Sequence, residues 1–384
     1  MPNRRNHVFW IVTLQIAFTN FFMGGFGPAQ PILRTEQHTS LTVAGLHGTA
    51  LGVAAILSGF TGPKLAHRFG RAVTSWIGMI FFCVGAGLFV FLPPVQLTLA
   101  AILITGFGIS TLINSSVTQL WDNNPEDASR AVSQSNAFGS IGYISGTLLI
   151  GTLVGVGINW RWGLLLVIPA GLILFLFSRK SLVVEHLPDE HGPQRGSLDR
   201  KFWVAWFGFI ACISTEFATT FWSAALLRDR LASSASISTL CIVAIGTGMG
   251  LGRWYGPIVL KRMPVDSQLK NILVTQLIGI VILWLSHVLW ISLIGLLLNG
   301  FGLSMQFALS SLRLMGFSEA RPDLAIARSS LAAGTAIALA PLFLGMLGDH
   351  LGISRAYLMM PVLIVIALTT VVAVPSQVLP ARTK

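Results

Sequence analysis

Gly106-Phe107-Gly108-Ile109-Ser110 returns 194 positions later as Gly300-Phe301-Gly302-Leu303-Ser304. The same spacing carries Gly62-Pro63 onto Gly256-Pro257, Gly52 onto Gly246 and Arg68 onto Arg262. It also carries Arg34 onto Arg228, and Gly151 and Arg161 onto Gly345 and Arg355. One ungapped register spans these loop and helix positions, which argues against coincidence even in a glycine-rich chain. The sequence is therefore read as two copies of one unit.

Each copy is built for lipid. Of the 384 residues, 53% are hydrophobic and only 10% charged, where a soluble domain is roughly a quarter charged. At about 20 apolar residues per spanning helix, the chain has room for about twelve helices and little else. Apolar runs bounded by charge, Pro or Gly predict helices near 8–33, 41–63, 73–92, 96–121, 131–156 and 161–179. A second set falls near 202–227, 236–258, 270–287, 290–314, 324–347 and 355–374. Residues 181–201 form the one long polar interval and read as a cytoplasmic linker between a first unit, 1–180, and a second, 202–384.

With the N-terminus in the cytoplasm, 19 of the 25 Lys and Arg residues fall on the inner side, so the positive-inside rule places both termini there. The net charge of +11 is thus a topology signal, and nucleic acid is not an expected partner. Arg4-Arg5 and the apolar run after them imitate a signal peptide, but the run is too long and has no A-x-A site, so it is read as the first helix. Cys83, Cys212 and Cys241 lie in apolar runs and read as packing residues.

Six helices per copy place both copies in the membrane in one orientation. Such a parallel repeat implies a pseudo-twofold axis along the membrane normal and a midplane cavity between the halves. Gly62-Pro63-Lys64-Leu65-Ala66-His67-Arg68-Phe69-Gly70-Arg71-Ala72, between the second and third helices, resembles the G-x-L-a-D-R-x-G-R-R loop of the major facilitator superfamily (MFS). His67 stands where that family has Asp, and Pro63 takes the first Gly position, with Gly62 one place early. The resemblance implies an all-α integral membrane fold, twelve transmembrane helices in two six-helix bundles. It also implies that Gly62, His67, Arg68, Gly70 and Arg71 belong to a conformational loop. In the family this loop stabilises one access state, and His67 makes that latch pH-sensitive or removes it. Gly139, Gly142 and Gly146 resemble only loosely the G-x-x-x-G-P-x-x-G-G signature of drug antiporters, because Tyr143 and Thr147 replace its Pro and last Gly. Small-residue packing between helices is the plainer account.

Thirteen of the 14 acidic residues lie in loops or at helix ends; Glu216 falls near the middle of the seventh helix. Burying a carboxylate there costs about 2.5–3.5 kcal/mol, and its repeat partner is Phe22, so the fold does not require an acid at this place. Glu216 is the candidate for proton coupling, with a purely structural hydrogen bond as the alternative. Cys212, Thr219, Thr220 and Ser223 share its helix face, with Phe217 and Trp222 beside it. The run around Glu216 also resembles the seventh helix of some sugar-permease-like members. Arg253 is the one basic residue well inside a helix and either snorkels to the inner interface or serves the inner vestibule as an anion-attracting or gating group.

By the family's architecture, helices one, four, seven and ten line the cavity. The first offers Gln15, Thr19, Phe22 and Phe26 on the face equivalent to that of Glu216. The fourth offers Asn114 and Thr118, or Ser116 and Gln119 on another face, and the tenth Asn299, Gln306 and Ser310. No metal-ligand spacing, hydrolase motif or nucleotide-binding loop is present, so no metal, cofactor or enzymatic activity is expected.

The expectation is a proton-coupled secondary transporter of the inner (plasma) membrane, acting by alternating access as a monomer on a small molecule. Uptake of a small polar solute is slightly favoured by Glu216. Efflux of amphipathic compounds is the alternative, and a non-transporting receptor a remote one. Orientation is directly testable in a variant freed of its three native cysteines. Lys64→Cys is expected to react with a membrane-impermeant maleimide only from the cytoplasmic side, and Arg355→Cys only from the outside.

Overall fold

A computed structural model describes residues 6–123, 128–179, 197–260, 262–319 and 321–376. All regular structure among them is helical, and twelve stretches are long and apolar enough to cross a membrane. Spans 1 to 6 are His7–Phe26, Leu41–Phe69, Arg71–Phe91, Val95–Leu120, Ala131–Gly155 and Arg161–Ser178. Spans 7 to 12 are Arg200–Leu231, Ala235–Val259, Val265–Leu285, Leu289–Gly316, Arg328–Leu351 and Ile353–Ala373. Most of the linker expected at 181–201 lies outside the described residues, as do Arg4, Arg5 and Lys261.

Two boundaries differ from the sequence expectation. The first helix stops at Phe26, and a separate short helix occupies Gln30–Glu36. Pro28 lies in the break, where it has no N–H to continue the helical ladder. The second helix passes through Pro63 and ends only at Phe69, so His67 and Arg68 occupy its last turn rather than a loop. Membrane helices tolerate an internal proline where neighbours or local adjustment satisfy the freed backbone. The turn into span 3 is made by Gly70 alone, at φ 78°, a conformation that glycine adopts without a Cβ clash.

The repeat is present in the packing. A Cβ placed on Gly108 would lie 2.2 Å from the amide nitrogen of Phe82; one on Gly302 would lie 2.5 Å from Cβ of Gln276. Phe82 and Gln276 are themselves repeat partners. In the same way Gly106 faces Leu51 in span 2, and Gly300 faces Ile245 in span 8. Gly142 and Gly146 of span 5 play the packing role expected of them, because a Cβ on either would meet the carbonyl oxygen of Ala17 or Phe21 at 2.2 or 2.0 Å. Equivalent contacts persist where the chemistry has changed. Glu36 accepts from Trp160 Nε1 at 2.6 Å and pairs with Arg161 at 3.1 Å; at the partner positions, Arg230 donates to Ser354 Oγ at 2.9 Å.

Span 2 packs along span 11, and span 5 along span 8, joining the two halves. The face on which span 1 begins and span 12 ends is the terminal face. On the opposite face the halves are sealed. Phe26 stacks edge-on against Phe221 at 5.9 Å within a cluster that includes Phe22, Phe82 and Phe89. Beside it, the Asp349 carboxylate near the end of span 11 accepts from the amides of Leu41 and Thr42, both at 2.8 Å, and from Thr42 Oγ1 at 2.6 Å. It thereby caps the N-terminus of span 2 across the boundary between halves. Toward the terminal face the pair separates. A Cβ added to Gly45, Gly48 or Gly52 would clash with span 11 at 2.8 Å or less, whereas one on Gly59 would meet Ser330 only at 3.7 Å.

A charge-assisted hydrogen bond contributes about 1.5–3 kcal/mol, so losing this clasp should favour separation of the opposite face by roughly ten-fold or more. Asp349→Ala is expected to raise by that factor the thiol reactivity of an Ala29→Cys reporter, which lies in the sealed region. An unchanged rate would show that the clasp does not hold that face closed.

Candidate functional site

Span 7 carries a polar stripe, and nearly all of it is used for packing. Cys212 receives Ser310 Oγ from span 10 at 3.6 Å. Thr219 Oγ1 meets Met360 Sδ of span 12 at 3.7 Å, and Ser223 Oγ shares a 2.7 Å hydrogen bond with Tyr357. Trp222, fully buried, donates Nε1 to the Pro341 carbonyl at 2.9 Å. Thr220 donates to the Phe217 carbonyl at 3.1 Å, and its own backbone oxygen lies at Gly27 where the halves touch. Glu216 is the exception. Its half-buried side chain has no hydrogen bond or ion pair among the described residues.

One residue earlier, Thr215 Oγ1 reaches Gln306 Oε1 at 3.4 Å, and Gln306 donates to Gln276 Oε1 at 2.6 Å. Gln306 opens the second part of span 10, which is interrupted at Ser304 and Met305. Backbone freed inside a membrane must find another partner. Here the Ser304 carbonyl accepts from Arg253 Nε of span 8 at 3.4 Å. Arg253 Nη1 crosses to the other half, reaching Ser140 Oγ of span 5 at 3.0 Å and the Asn136 carbonyl at 3.4 Å. Its Nη2 has no partner among the described residues.

Glu216 and Arg253 therefore flank the same break in span 10, one through its chain neighbour and one directly. They form no ion pair with each other. Tyr143 of span 5 completes the group. Its ring crosses to Gly246 of span 8, and its buried hydroxyl has no hydrogen-bond partner. The constellation is a carboxylate, a guanidinium arm and a phenol hydroxyl, all unengaged, contributed by both halves.

The other sequence candidates are distributed more widely. On span 1, Gln15 is fully enclosed with neither amide atom partnered, and Thr19 bonds to its own helix through the Ile16 carbonyl at 2.8 Å. Phe22 and Phe26 belong to the aromatic seal. On span 4, Asn114 and Thr118 share the more exposed face, linked at 2.8 Å from Thr118 Oγ1 to the Asn114 carbonyl. Ser116 is buried without a partner, and Gln119 instead reaches the Arg71 carbonyl at 3.3 Å. Asn299 is buried beside Gly279 of span 9, its amide unpartnered. In the conformational segment, Arg71 pairs with Asp122, two residues past the end of span 4, and Arg68 lies over the Phe69 ring at 5.3 Å.

Tyr143, Ser140 and the interruption of span 10 were not among the sequence candidates. Tyr143 carried a weak signal as the lone phenol in a glycine-rich helix; the interruption carried none, since neither Ser304 nor Met305 breaks helices strongly. A shallow crevice of about 260 Å³ runs between spans 5 and 8 beside the site, lined by Phe138, Ser140, Ile141, Ile144, Leu251 and Trp254.

The chain adopts a known transporter architecture. It is similar to the crystal structure of the nucleoside transporter NupG, with a TM-score of 0.76 and 13% identity over 96% of this chain and 100% of that one. It is also similar to a bacterial homologue of the human lysosomal transporter Spinster, solved inward-facing. The unoccupied form gives a TM-score of 0.72 at 15% identity and the occupied form 0.73 at 17%, each over 96% of both chains. No curated protein matches the chain in sequence. The family model for the Major Facilitator Superfamily matches residues 12–321. Twelve spans, a repeat preserved in the helix contacts and that match together make the chain a member of the major facilitator superfamily, a family of transporters rather than enzymes.

Proposed function

We propose that the protein couples proton movement to the transport of a small polar solute by alternating access, with Glu216 as the proton-carrying group. The observation that carries this reading is the isolation of Glu216: a mid-span carboxyl, half-buried and without a bonding partner among the described residues. A carboxyl serving only to hold helices together would be hydrogen-bonded, because an unmet polar group in such surroundings is costly. Support comes from Arg253, which joins Ser140 of one half to the broken span 10 of the other, a break that the chain neighbour of Glu216 also reaches through Gln306. The terminal face is the cytoplasmic one, on the strength of the basic residues there, and the membrane is the plasma membrane. Uptake is the favoured direction, and a single chain carries both halves of the mechanism.

The crevice between spans 5 and 8 favours a second reading, efflux of amphipathic compounds that enter from the bilayer. Its apolar lining and the exposed Trp254 and Ile141 suit such a route. Inhibition of transport by a bulky side chain at Gly250, on the crevice wall, would support it.

A gradient of one pH unit is worth 1.36 kcal/mol per proton, about ten-fold accumulation at a stoichiometry of one. In proteoliposomes, wild type is expected to concentrate its solute by that factor per unit of imposed gradient. Glu216→Gln is expected to exchange solute across the membrane without concentrating it. Retained pH-driven accumulation by the variant would remove Glu216 from the coupling step.

A further inference from the structure

We propose that the site at the interruption of span 10 recognises a small monovalent anion, a carboxylate in the first instance, and carries it together with one proton; this rests on the coupling role of Glu216. The unengaged groups point to this class. Arg253 has used Nε and Nη1 on Ser304, Asn136 and Ser140, which fixes the guanidinium plane and leaves Nη2 as a donor. Tyr143 brings a buried hydroxyl without a partner. Two donors, one cationic and both held by helices, are the kind of partners that the two oxygens of a carboxylate take. The Ser304 carbonyl, which would repel an anion, is already occupied by Arg253.

Charge conservation gives the coupling rule. With the solute absent and Glu216 ionised, Glu216 and Arg253 sum to zero. With the anion bound, the sum returns to zero only if Glu216 is protonated. The proton goes onto a carboxylate oxygen of Glu216, no covalent bond to the solute forms, and the same proton leaves with the solute on the far side. A neutral or zwitterionic solute bound with a protonated Glu216 would leave one uncompensated positive charge in a low-dielectric interior, which is strongly disfavoured.

The charged surroundings do not supply another counter-ion. Arg253 comes from span 8 and Tyr143 from span 5, and Cys212 stands one turn before Glu216 on span 7. The remaining helices around span 7 carry charge only toward their ends. Arg313 of span 10 is paired with Asp266 at 2.7 Å, Arg328, Asp349 and His350 lie near the ends of span 11, and Arg355 begins span 12. Arg34 and Glu36 sit on the short helix after span 1, and Glu36 is held by Arg161.

The experiment has a binding arm and a flux arm. Protein in nanodiscs is titrated with formate, lactate, nicotinate and benzoate, and with glucose and uridine as neutral probes, read by tryptophan fluorescence at pH 5.5 and 7.5. Carboxylates are expected to bind, about ten-fold more weakly at the higher pH, where an ionised Glu216 repels them. Glu216→Gln is expected to bind them with no pH dependence. Arg253→Gln is expected to abolish binding; since Arg253 also ties spans 5 and 10 together, Tyr143→Phe serves as the gentler variant, expected to weaken carboxylates by up to about ten-fold with an unchanged apo melting temperature. Unchanged carboxylate binding in both the Arg253 and Tyr143 variants overturns the assignment.

In the flux arm, proteoliposomes are given a pH gradient or a potassium diffusion potential and the tightest-binding solute. Proton–anion symport is electroneutral, so accumulation follows the pH gradient and ignores the potential. A neutral solute moving with a proton would gain about fifty-fold from 100 mV. Potential-driven accumulation of glucose or uridine, or failure of every carboxylate to bind, overturns the anion inference while leaving proton coupling standing. Carboxylate exchange that ignores both gradients overturns the coupling instead.

Discussion

Close approach of helix backbones through glycine is the constraint on which the rest of this structure depends. In hydrocarbon there is no hydrophobic force to press helices together, so association rests on van der Waals contact, hydrogen bonds and small residues at the interfaces. Gly106 and Gly108 admit spans 2 and 3 to span 4, and Gly300 and Gly302 admit spans 8 and 9 to span 10. Gly142 and Gly146 do the same for spans 1 and 5. With the helices this close, each half is tightly packed, and many of the polar side chains within it are spoken for. Arg313 is bound to Asp266, Arg161 to Glu36, and Gln306 to Gln276.

Some of what remains free lies where the halves meet, while Gln15, Ser116 and Asn299 are unpartnered within them. Between the halves, an unengaged polar group is tolerable only where an alternating partner or solvent can reach it. Glu216, the Nη2 arm of Arg253 and the Tyr143 hydroxyl are such groups, and Arg253 borders the break in span 10. Their convergence joins span 5 of one half to spans 7, 8 and 10 of the other. A bound solute would therefore touch both halves at once, which is the condition for its presence to be felt in their relative position.

Much of this was legible in the chain. The offset of 194 residues was visible because glycine, proline and arginine occupy positions where substitution is sterically or electrostatically expensive. It proved to be a register of contacts, down to Phe82 and Gln276 as equivalent neighbours of Gly108 and Gly302. Glu216 stood out because lipid makes a mid-span carboxyl costly. The cavity-facing residues of span 1 were less legible, since helical periodicity gives a face but not what packs on it: Phe22 and Phe26 share the face of Glu216 and meet an aromatic cluster. Ser140 and Arg253 are 113 residues apart in sequence, and no local pattern announces a pairing of that range. At Pro63 a helix stop is too strict an expectation, because the rule that holds in soluble helices weakens in a membrane.

Spans 2 and 11 run antiparallel, so their pair has two corners of the same construction, each a helix ending in a left-handed glycine, Gly70 at one and Gly352 at the other. Three residues before these glycines stand His67 and Asp349. At the Asp349 corner the neighbouring helix start, that of span 2, is capped by a carboxylate from the other half. The sealed face is thus held by charge as well as by packing. Parting it means detaching an anion from a helix dipole, so the molecule behaves like a door fitted with an electrostatic catch.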